Sequence, residues 1–247
     1  MLIESISQIA VEAGKIIMAT SQANLRQTLK EDLSPVTEAD LAASRFIIEE
    51  LQRVASEIPV ISEEGHIPDF AERRLWKRFW LVDPLDGTKE FIKGSDEFTV
   101  NIGLIEEGES VMGVIYAPAK KLLYFGGRGM GAWRKKGDDP NERVYSRRPR
   151  EGEGRMVVVS RSHPGVELET FLRTIQIKDR FKVGSSIKFG YMAEGKADLY
   201  PRFSPTMEWD VAAGDAIYRN SARQGVNPTP FRYNKPSLRN EKFVLGL

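Results

Sequence analysis

Residues 80–88 read Trp-Leu-Val-Asp-Pro-Leu-Asp-Gly-Thr, an apolar run that ends in two carboxylates with a proline between them. A strand over 79–82 would deliver Asp83 and Asp86 to its carboxyl end as hard oxygen ligands, and Pro84 would fix φ and stiffen their spacing. Gly87 and Thr88 follow at once, supplying backbone N–H groups and a hydroxyl where a helical turn can begin. Free N–H groups at a helix start, together with cations on neighbouring carboxylates, suit a phosphate group. The stretch predicts metal-assisted chemistry on a phosphate ester.

Three further acidic segments could join it. Ile61-Ser62-Glu63-Glu64-Gly65 sets Glu63 and Glu64 at the end of a short predicted strand. Ser34-Pro35-Val36-Thr37-Glu38-Ala39-Asp40 puts Asp40 in the first turn of a helix, where a carboxylate is favoured. Trp209-Asp210-Val211-Ala212-Ala213-Gly214 puts Asp210 at a helix start beside small residues that permit close packing. Taken singly, each has a structural explanation: a solvated turn, a helix-dipole residue, an N-cap, and a type I turn for Asp-Pro-Leu-Asp. The donor inventory restricts the metal. The chain has no cysteine and two histidines, His66 and His163, too few for a histidine-built site. Any ion must sit in oxygen ligands, which points to Mg²⁺, Mn²⁺ or Ca²⁺. The lack of cysteine excludes disulfides and fits a reducing compartment. His66, in a short polar insertion after Gly65, is assigned no role.

The elements that must position these groups follow from periodicity. Residues 2–20 and 38–56 have helical spacing, with Thr37 as N-cap of the second helix. Strands are expected at 60–61, 79–82, 98–105, 111–116 and 122–125, the last three as an antiparallel meander. The charged, Gly- and Pro-bearing stretch 134–155 reads as a connector with at most one short edge strand. It divides an α+β half (1–145), holding most of the acidic residues, from an α/β half (146–247). In the second half, strands are expected at 156–160, 181–183, 197–200 and 243–245, and helices at 164–174, 186–195 and 209–220. A total of 247 residues with 41% apolar content suffices for one large or two modest domains. A net charge of +1 gives no global attraction to nucleic acid or anionic membrane. With no signal-peptide pattern and no apolar run of about 18 to 20 residues, a cytoplasmic chain is expected, free or peripherally attached to the inner membrane.

Jointly, the four acidic segments carry the signature of a known family. The chain resembles the lithium-sensitive, magnesium-dependent phosphatases related to inositol monophosphatase. Asp83-Pro84-Leu85-Asp86-Gly87-Thr88 matches the first motif of that family and Trp209–Gly214 the second, with Ser62-Glu63-Glu64 and Ser34–Asp40 in the expected order. The likeness runs from the first helix to Phe243. It implies a layered α-β-α-β-α sandwich of the sugar-phosphatase type. It also implies that Glu63, Asp83 and the Leu85 carbonyl hold a first Mg²⁺, and that Asp83 bridges to a second ion shared with Asp86 and Asp210. A third, weaker ion would reach Glu63 through water, and Mn²⁺ is an alternative metal. The N–H groups of Gly87 and Thr88 would cradle the scissile phosphate. Thr88, oriented by Asp40, and Glu64 would help deprotonate a metal-bound water, and Li⁺ would inhibit at the second metal position. The physics agrees: a phosphate monoester dianion repels hydroxide until cations cancel its charge, and four converging carboxylates repel each other without them.

Segments 157–163, 184–190 and 197–203 look closely like the bacterial 3′(2′),5′-bisphosphate nucleotidase branch, whose substrate is adenosine 3′,5′-bisphosphate in sulfate assimilation. The implied partner is therefore a small-molecule phosphate ester, with no nucleic acid polymer and no obligate protein partner. Around the scissile phosphate, Glu63, Leu85, Asp86, Gly87, Thr88 and Asp210 would also contact substrate. A second phosphate needs a second anion site, for which Ser185, Lys188 and Arg202 are the candidates, with His163 near the adenosine. Lys188 and Arg202 could instead be surface charges, and Tyr200 a core residue. The alternative activity is an inositol or sugar monophosphatase on the same scaffold. An inert, regulatory version of the fold would have lost a metal carboxylate, whereas Asp40, Glu63, Asp83, Asp86 and Asp210 are all present. After Gly214 the chain departs from the Ala-rich helix and paired glycine usual in such relatives, which puts that helix end in question.

Overall fold

The computed structural model describes residues 1–20, 27–29, 35–161 and 165–246. Helix α1 (Leu2–Ala19) buries Ile3, Ile6, Ala10, Ala13 and Ile17 along one face, a helical period that leaves its charged residues in solvent. A short antiparallel pair, β1 (Gln27–Leu29) and β2 (Pro35–Thr37), leads into α2 (Glu38–Val54). Then come β3 (Val60–Ser62), a single turn α3 (Phe70–Arg73), β4 (Arg78–Asp86), the short helix α4 (Thr88–Ile92) and β5 (Thr99–Glu106). Strands β6 (Glu109–Ala117), β7 (Leu122–Gly127), β8 (Gly131–Lys136) and β9 (Glu142–Val144) complete a seven-stranded sheet. Its order follows the sequence; β3 and β4 are parallel and every later pair is antiparallel. The expected meander is β5-β6-β7.

Alternation along β4 shows how the layers arise. Trp80 and Val82 face the apolar stripes of α1 and α2, while Phe79 and Leu81 face the opposite layer. Because both faces are covered, the strand reads as an uninterrupted apolar run. The opposite layer is α6 (Ile187–Ala193) and α7 (Glu208–Arg219). Beyond it lie the parallel pair β10 (Arg155–Ser160) and β11 (Ile177–Val183), with α5 (Val166–Leu172) outermost. On β10, Val158 packs inward with α6 and α7, whereas Val157 and Val159 pack outward with Leu168 and Leu172 of α5. Strand β12 (Tyr200–Arg202) joins this layer through the Val157–Leu199 bridge. Strands β13 (Thr206–Met207), β14 (Arg239–Asn240) and β15 (Phe243–Leu245) close the chain: β13 pairs with β14, and β12 with β15. The stack is α-β-α-β-α, as the family resemblance implies. Among the described residues, no helix is long and apolar enough to cross a membrane.

Helix α7 sits unusually close to the sheet. A Cβ on Gly113 of β6 would lie 2.2 Å from the Ala213 carbonyl oxygen, and one on Gly103 of β5 would lie 2.8 Å from the Ala212 Cβ. Ser110 Oγ adds a hydrogen bond of 2.7 Å to the Ala212 carbonyl. Paired glycines opposite paired alanines thus fix the depth of the helix that carries Asp210.

Two expectations need correction. The connector does not begin at Arg134: Gly131–Lys136 is a six-residue strand, and β9 extends the sheet once more. Ladder hydrogen bonds satisfy the backbone there, while charged side chains at a sheet edge stay solvated, so the apolar pattern that marks inner strands is missing. The strand expected at 197–200 is instead 200–202. Asp198 accepts from the Met156 N–H at 3.1 Å through its side chain and pairs with Arg147 at 2.5 Å, while its own N–H donates to the Met156 carbonyl at 2.8 Å, so the chain contacts β10 just before the strand proper begins. Helix α7 ends at Arg219 with Asn220 as its C-cap, close to the expected limit despite the unusual sequence there.

On α7, Asp215 is buried and accepts from Tyr233 Oη at 2.8 Å, with Arg219 Nε 3.5 Å from its other oxygen. Burial raises its carboxyl from an ordinary 3.8 to about 6. The folded chain therefore keeps a proton there that the unfolded chain releases. This contribution to stability is fully present below pH 3.8 and is lost as pH rises through 6. Asp215→Asn removes the loss. Its thermal midpoint relative to wild type should climb by about 5 °C between about pH 4.5 and 7.5, from about 2 kcal/mol of linkage. A difference flat across that range in calorimetry would show that the carboxyl is not raised.

Candidate active site

The parallel register of β3 and β4 pairs Ser62 with Val82, so the next residues, Glu63 and Asp83, emerge side by side at the carboxyl ends. The Glu63 N–H donates to the Val82 carbonyl at 3.0 Å and holds the first turn beyond β3 against β4. In a regular strand, residues three apart point to opposite faces. Here Asp83 stands opposite Asn101 and Asp86 opposite Thr99, so three steps on β4 match two on β5. This one-residue bulge is what allows Asp83 and Asp86 to serve one site, and Pro84, which has no N–H to lose, sits within it. Gly87 follows at φ 95°, a left-handed conformation, with room for its absent Cβ limited by the Glu97 carbonyl at 3.1 Å. The chain then enters α4 at Thr88.

Asp210 arrives from the other half of the molecule. It lies in the first turn of α7, where its Oδ2 accepts from the Met207 N–H at 2.8 Å. Oxygens of Glu63, Asp83 and Asp210 lie within 4.8 Å of one another. Burial raises the Asp83 carboxyl well above the ordinary range, and the charges of Glu63, Asp86, Asp210 and Asp40 raise it further. Burial also raises Asp86, where Lys188 partly offsets it. Asp210 is pushed up to about 8 by burial and then by Asp86 and Glu63. Three of these carboxyls are thus held above their ordinary range despite Lys188 and Arg202 nearby. An all-oxygen donor set that must take up either protons or cations fits a hard divalent metal.

Asp40 stands beside the cluster in the α2 capping box. Its Oδ2 accepts from the Thr37 N–H at 2.8 Å and from Thr37 Oγ1 at 2.5 Å, and its Oδ1 lies 2.9 Å from Thr88 Oγ1. Burial raises its carboxyl, against the lowering effect of those hydrogen bonds. The Thr88 hydroxyl is also 3.1 Å from the Leu85 carbonyl, and the Leu85 N–H donates to Asp83 at 3.1 Å. Glu64 is half-buried in the turn after Glu63 and does not line the cavity next to the cluster.

That cavity, about 210 Å³, has Glu63, Asp86, Gly87, Thr88 and Asp210 along one wall. The same cavity is lined by Ser160, Arg161, Ser185, Lys188 and Arg202, so the predicted cations do reach the site. They are not free surface charges. Lys188 is 4% exposed and donates to the Ser185 and Val183 carbonyls, the latter at 3.3 Å; its Nζ also lies 5.7 Å over the Tyr200 ring. Burial lowers the Lys188 ammonium to about 8, despite Asp86 nearby. Arg202 donates to Ser160 Oγ and, at 3.3 Å, to the Ser204 carbonyl. Ser185 has φ 46°, and its hydroxyl is buried without a partner among the described residues. Tyr200 is both core and cavity wall. His66 is exposed. His163, like Ser34, lies outside the described residues.

Sequence reasoning missed the groups that join the walls. Ser186 Oγ bonds Asn101 Oδ1 at 2.6 Å and Thr99 Oγ1 at 2.8 Å, tying α6 to β5, and Glu97 binds Arg161. These pairs lie 64 to 87 positions apart, and no local pattern announces them.

An oxygen-donor cluster at the carboxyl end of a bulged strand, in an α-β-α-β-α sandwich, defines a metal-dependent class of phosphate-ester hydrolases. The chain belongs to the inositol monophosphatase family, whose model matches residues 2–221. It is similar to the 3′(2′),5′-bisphosphate nucleotidase CysQ of Salmonella typhimurium, with 46% identity over 219 residues, 87% of this chain and 86% of that one. The Escherichia coli K12 protein of the same name is 43% identical over the same shares. Among solved structures, CysQ from Bacteroides thetaiotaomicron matches with TM-score 0.80 and 39% identity, over 99% of this chain and 96% of that one. The extragenic suppressor protein SuhB from Bartonella henselae matches with TM-score 0.74 and 28% identity, over 89% and 84%.

Binding of a divalent cation to the folded state alone should raise the thermal midpoint of the wild-type chain over its value in EDTA. Asp83→Asn should abolish most of that rise while matching or exceeding wild type in EDTA, because it removes one of the mutually repelling carboxylates. Differential scanning with and without Mg²⁺ or Mn²⁺ checks this; a variant that keeps the full rise would remove Asp83 from the metal site.

Proposed function

We propose that this chain is a Mg²⁺-dependent 3′(2′),5′-bisphosphate nucleotidase, cleaving adenosine 3′,5′-bisphosphate to AMP and phosphate. The observation that carries the proposal is a single cavity with two unlike walls. One is an acidic, cation-requiring cluster; the other presents Arg161, Arg202, Lys188 and the Ser185 hydroxyl, which has no partner among the described residues. A substrate with one phosphate needs the first wall only, whereas a bisphosphate uses both. The names of relatives 43–46% identical support the same reading.

In this scheme Glu63, Asp83 and the Leu85 carbonyl would hold one Mg²⁺, and Asp83, Asp86 and Asp210 would hold a second, with a third optional at Glu63. Bound there, the ions would offset phosphate charge, acidify water and stabilise the leaving oxygen. The residues of the chain supply the rest. Gly87 and Thr88 N–H groups, at a helix start, receive oxygens of the scissile phosphate. The Thr88 hydroxyl orients the attacking water and relays its proton toward Asp40, whose raised carboxyl suits an acceptor. Glu64, set back from the cavity, would act as a secondary proton acceptor. Arg202 meets the second phosphate with a planar fork, and Lys188 holds the Ser185 turn while presenting charge beside Asp86. His163 would lie toward the adenosine.

Phosphate release across a small panel is the direct test. Adenosine 3′,5′-bisphosphate should be strongly favoured over AMP and inositol 1-phosphate, and turnover should vanish in EDTA; preference for the inositol ester would replace this activity by a monophosphatase. Asp83→Asn should lower kcat by at least ~10³, about 4 kcal/mol of barrier, in a steady-state assay. Arg202→Ala should raise KM for the bisphosphate far more than for any monophosphate that is turned over, and equal rises would remove Arg202 from the second anion site.

A further inference from the structure

Glu97 lies in the loop between α4 and β5, contributes no atom to the metal cluster, and is 9% exposed. Its carboxylate accepts from Arg161 twice, from Nε at 2.7 Å and from Nη2 at 2.8 Å, and from the Gly184 N–H at 2.7 Å. Arg161 Nη2 also donates to the Lys182 carbonyl at 2.9 Å. One side chain of the first half therefore pins the carboxyl ends of both β10 and β11. The fit is close in the backbone too. A Cβ on Gly184 would lie 2.8 Å from the Glu97 carbonyl oxygen, the same oxygen that limits Gly87 at 3.1 Å. Residue 97 is wedged between the glycine turn after the metal-bearing strand and the glycine turn that leads to Ser185.

What that second turn carries is under strain. Ser185 holds φ 46°, which a residue with a Cβ adopts only where its surroundings over-determine it. Its hydroxyl is buried, has no partner among the described residues, and belongs to a residue of the cavity wall. Two contacts hold the turn from either side: Gly184 N–H on Glu97, and the Lys188 ammonium on the Ser185 carbonyl. Arg161 lines the same cavity, its guanidinium edge oriented by the two-point bond to Glu97.

We propose that Glu97 is a positioning residue for substrate choice: through Arg161 and Gly184 it fixes the Ser185 turn against the uncleaved phosphate, at a set distance from the Gly87 turn that receives the cleaved one. This rests on the bisphosphate activity proposed above. Without Glu97 the strained turn relaxes and Arg161 loses its orientation, while the acidic cluster, built from β3, β4 and α7, keeps its own supports.

The test measures kcat and KM for adenosine 3′,5′-bisphosphate and for adenosine 3′-monophosphate, which carries the same scissile group without the second phosphate. The wild-type chain comes first: absence of any preference for the bisphosphate would refute the two-phosphate activity itself. Given that preference, Glu97→Gln should raise KM for the bisphosphate by about tenfold or more, with a change under about threefold for the monophosphate and kcat little altered for either. Arg161→Met, which leaves the Gly184 bond in place, should shift the same ratio in the same direction by a smaller factor, and serves if Glu97→Gln does not fold. Combined, the two substitutions should cost less than the product of their separate effects, because they act through one contact. Equal losses for both substrates, or an unchanged KM ratio in the folded variants, would make the Glu97–Arg161 pair a structural tie with no part in specificity.

Discussion

Asp83 is buried within reach of Glu63, Asp86 and Asp210, and burial together with their charges raises its carboxyl well above the ordinary range. That crowding of like charge is the constraint on which the other features of the site depend. Like charges at such distances in a poorly solvated pocket cannot all ionise, so the folded chain either binds protons or binds cations. A fold that holds four carboxylates together against their repulsion must spend packing energy on it. The apolar core on both faces of β4 supplies that energy, with Trp80 and Val82 on one side and Phe79 and Leu81 on the other. The strand that brings the acids together is also among the most deeply buried in the molecule.

Positioning is then a matter of how closely distant elements approach. β3 and β4 bring Glu63 and Asp83 together by register alone, and the bulge in β4 turns Asp86 toward them. Asp210 has no such covalent neighbour. It reaches the site because α7 settles onto β5 and β6 where Gly103 and Gly113 meet Ala212 and Ala213. Any side chain at Gly113 would lift the helix and carry Asp210 away with it. Small residues in the second motif thus set the position of the acidic cluster through the depth of the helix.

Legibility in the sequence followed this division. Asp83 to Thr88 could be read as a candidate site because strand end, proline, glycine and helix start lie within a few residues, each with its own local signal, whereas the bulge that turns Asp86 has none. The Thr37–Asp40 cap and the helical faces of α1 and α2 were readable for the same reason. Strand β8, next to the sheet edge, was not, since its charged residues are held by ladder bonds rather than marked by an apolar pattern, whereas β9 is the one short edge strand that the connector allowed. Lys188 presented the opposite difficulty: a lysine in a polar segment resembles a surface charge, and only the packing of α6 reveals it as 4% exposed. Glu97 and Arg161 look like ordinary solvated charges, and their partnership exists only once β5 and β10 are brought together across the cavity.

The two walls of the cavity solve contrary electrostatic problems, which bears on how a second phosphate could be chosen at all. A wall of free cations facing the acidic cluster would simply collapse onto it, satisfying both without substrate. Here the cations are already engaged: Arg161 by Glu97, Lys188 by two backbone carbonyls, and Arg202 by Ser160 and Ser204. Glu97 offsets the charge of Arg161, the neutral acceptors leave Lys188 and Arg202 charged, and the orientation of all three is fixed. Discrimination in such a site comes from donors held in place beforehand, since a ligand that fails to match them leaves buried polar groups unpaired. The Ser185 hydroxyl, on a residue at φ 46° and without a partner among the described residues, is the clearest instance of a polar group left open at the cavity.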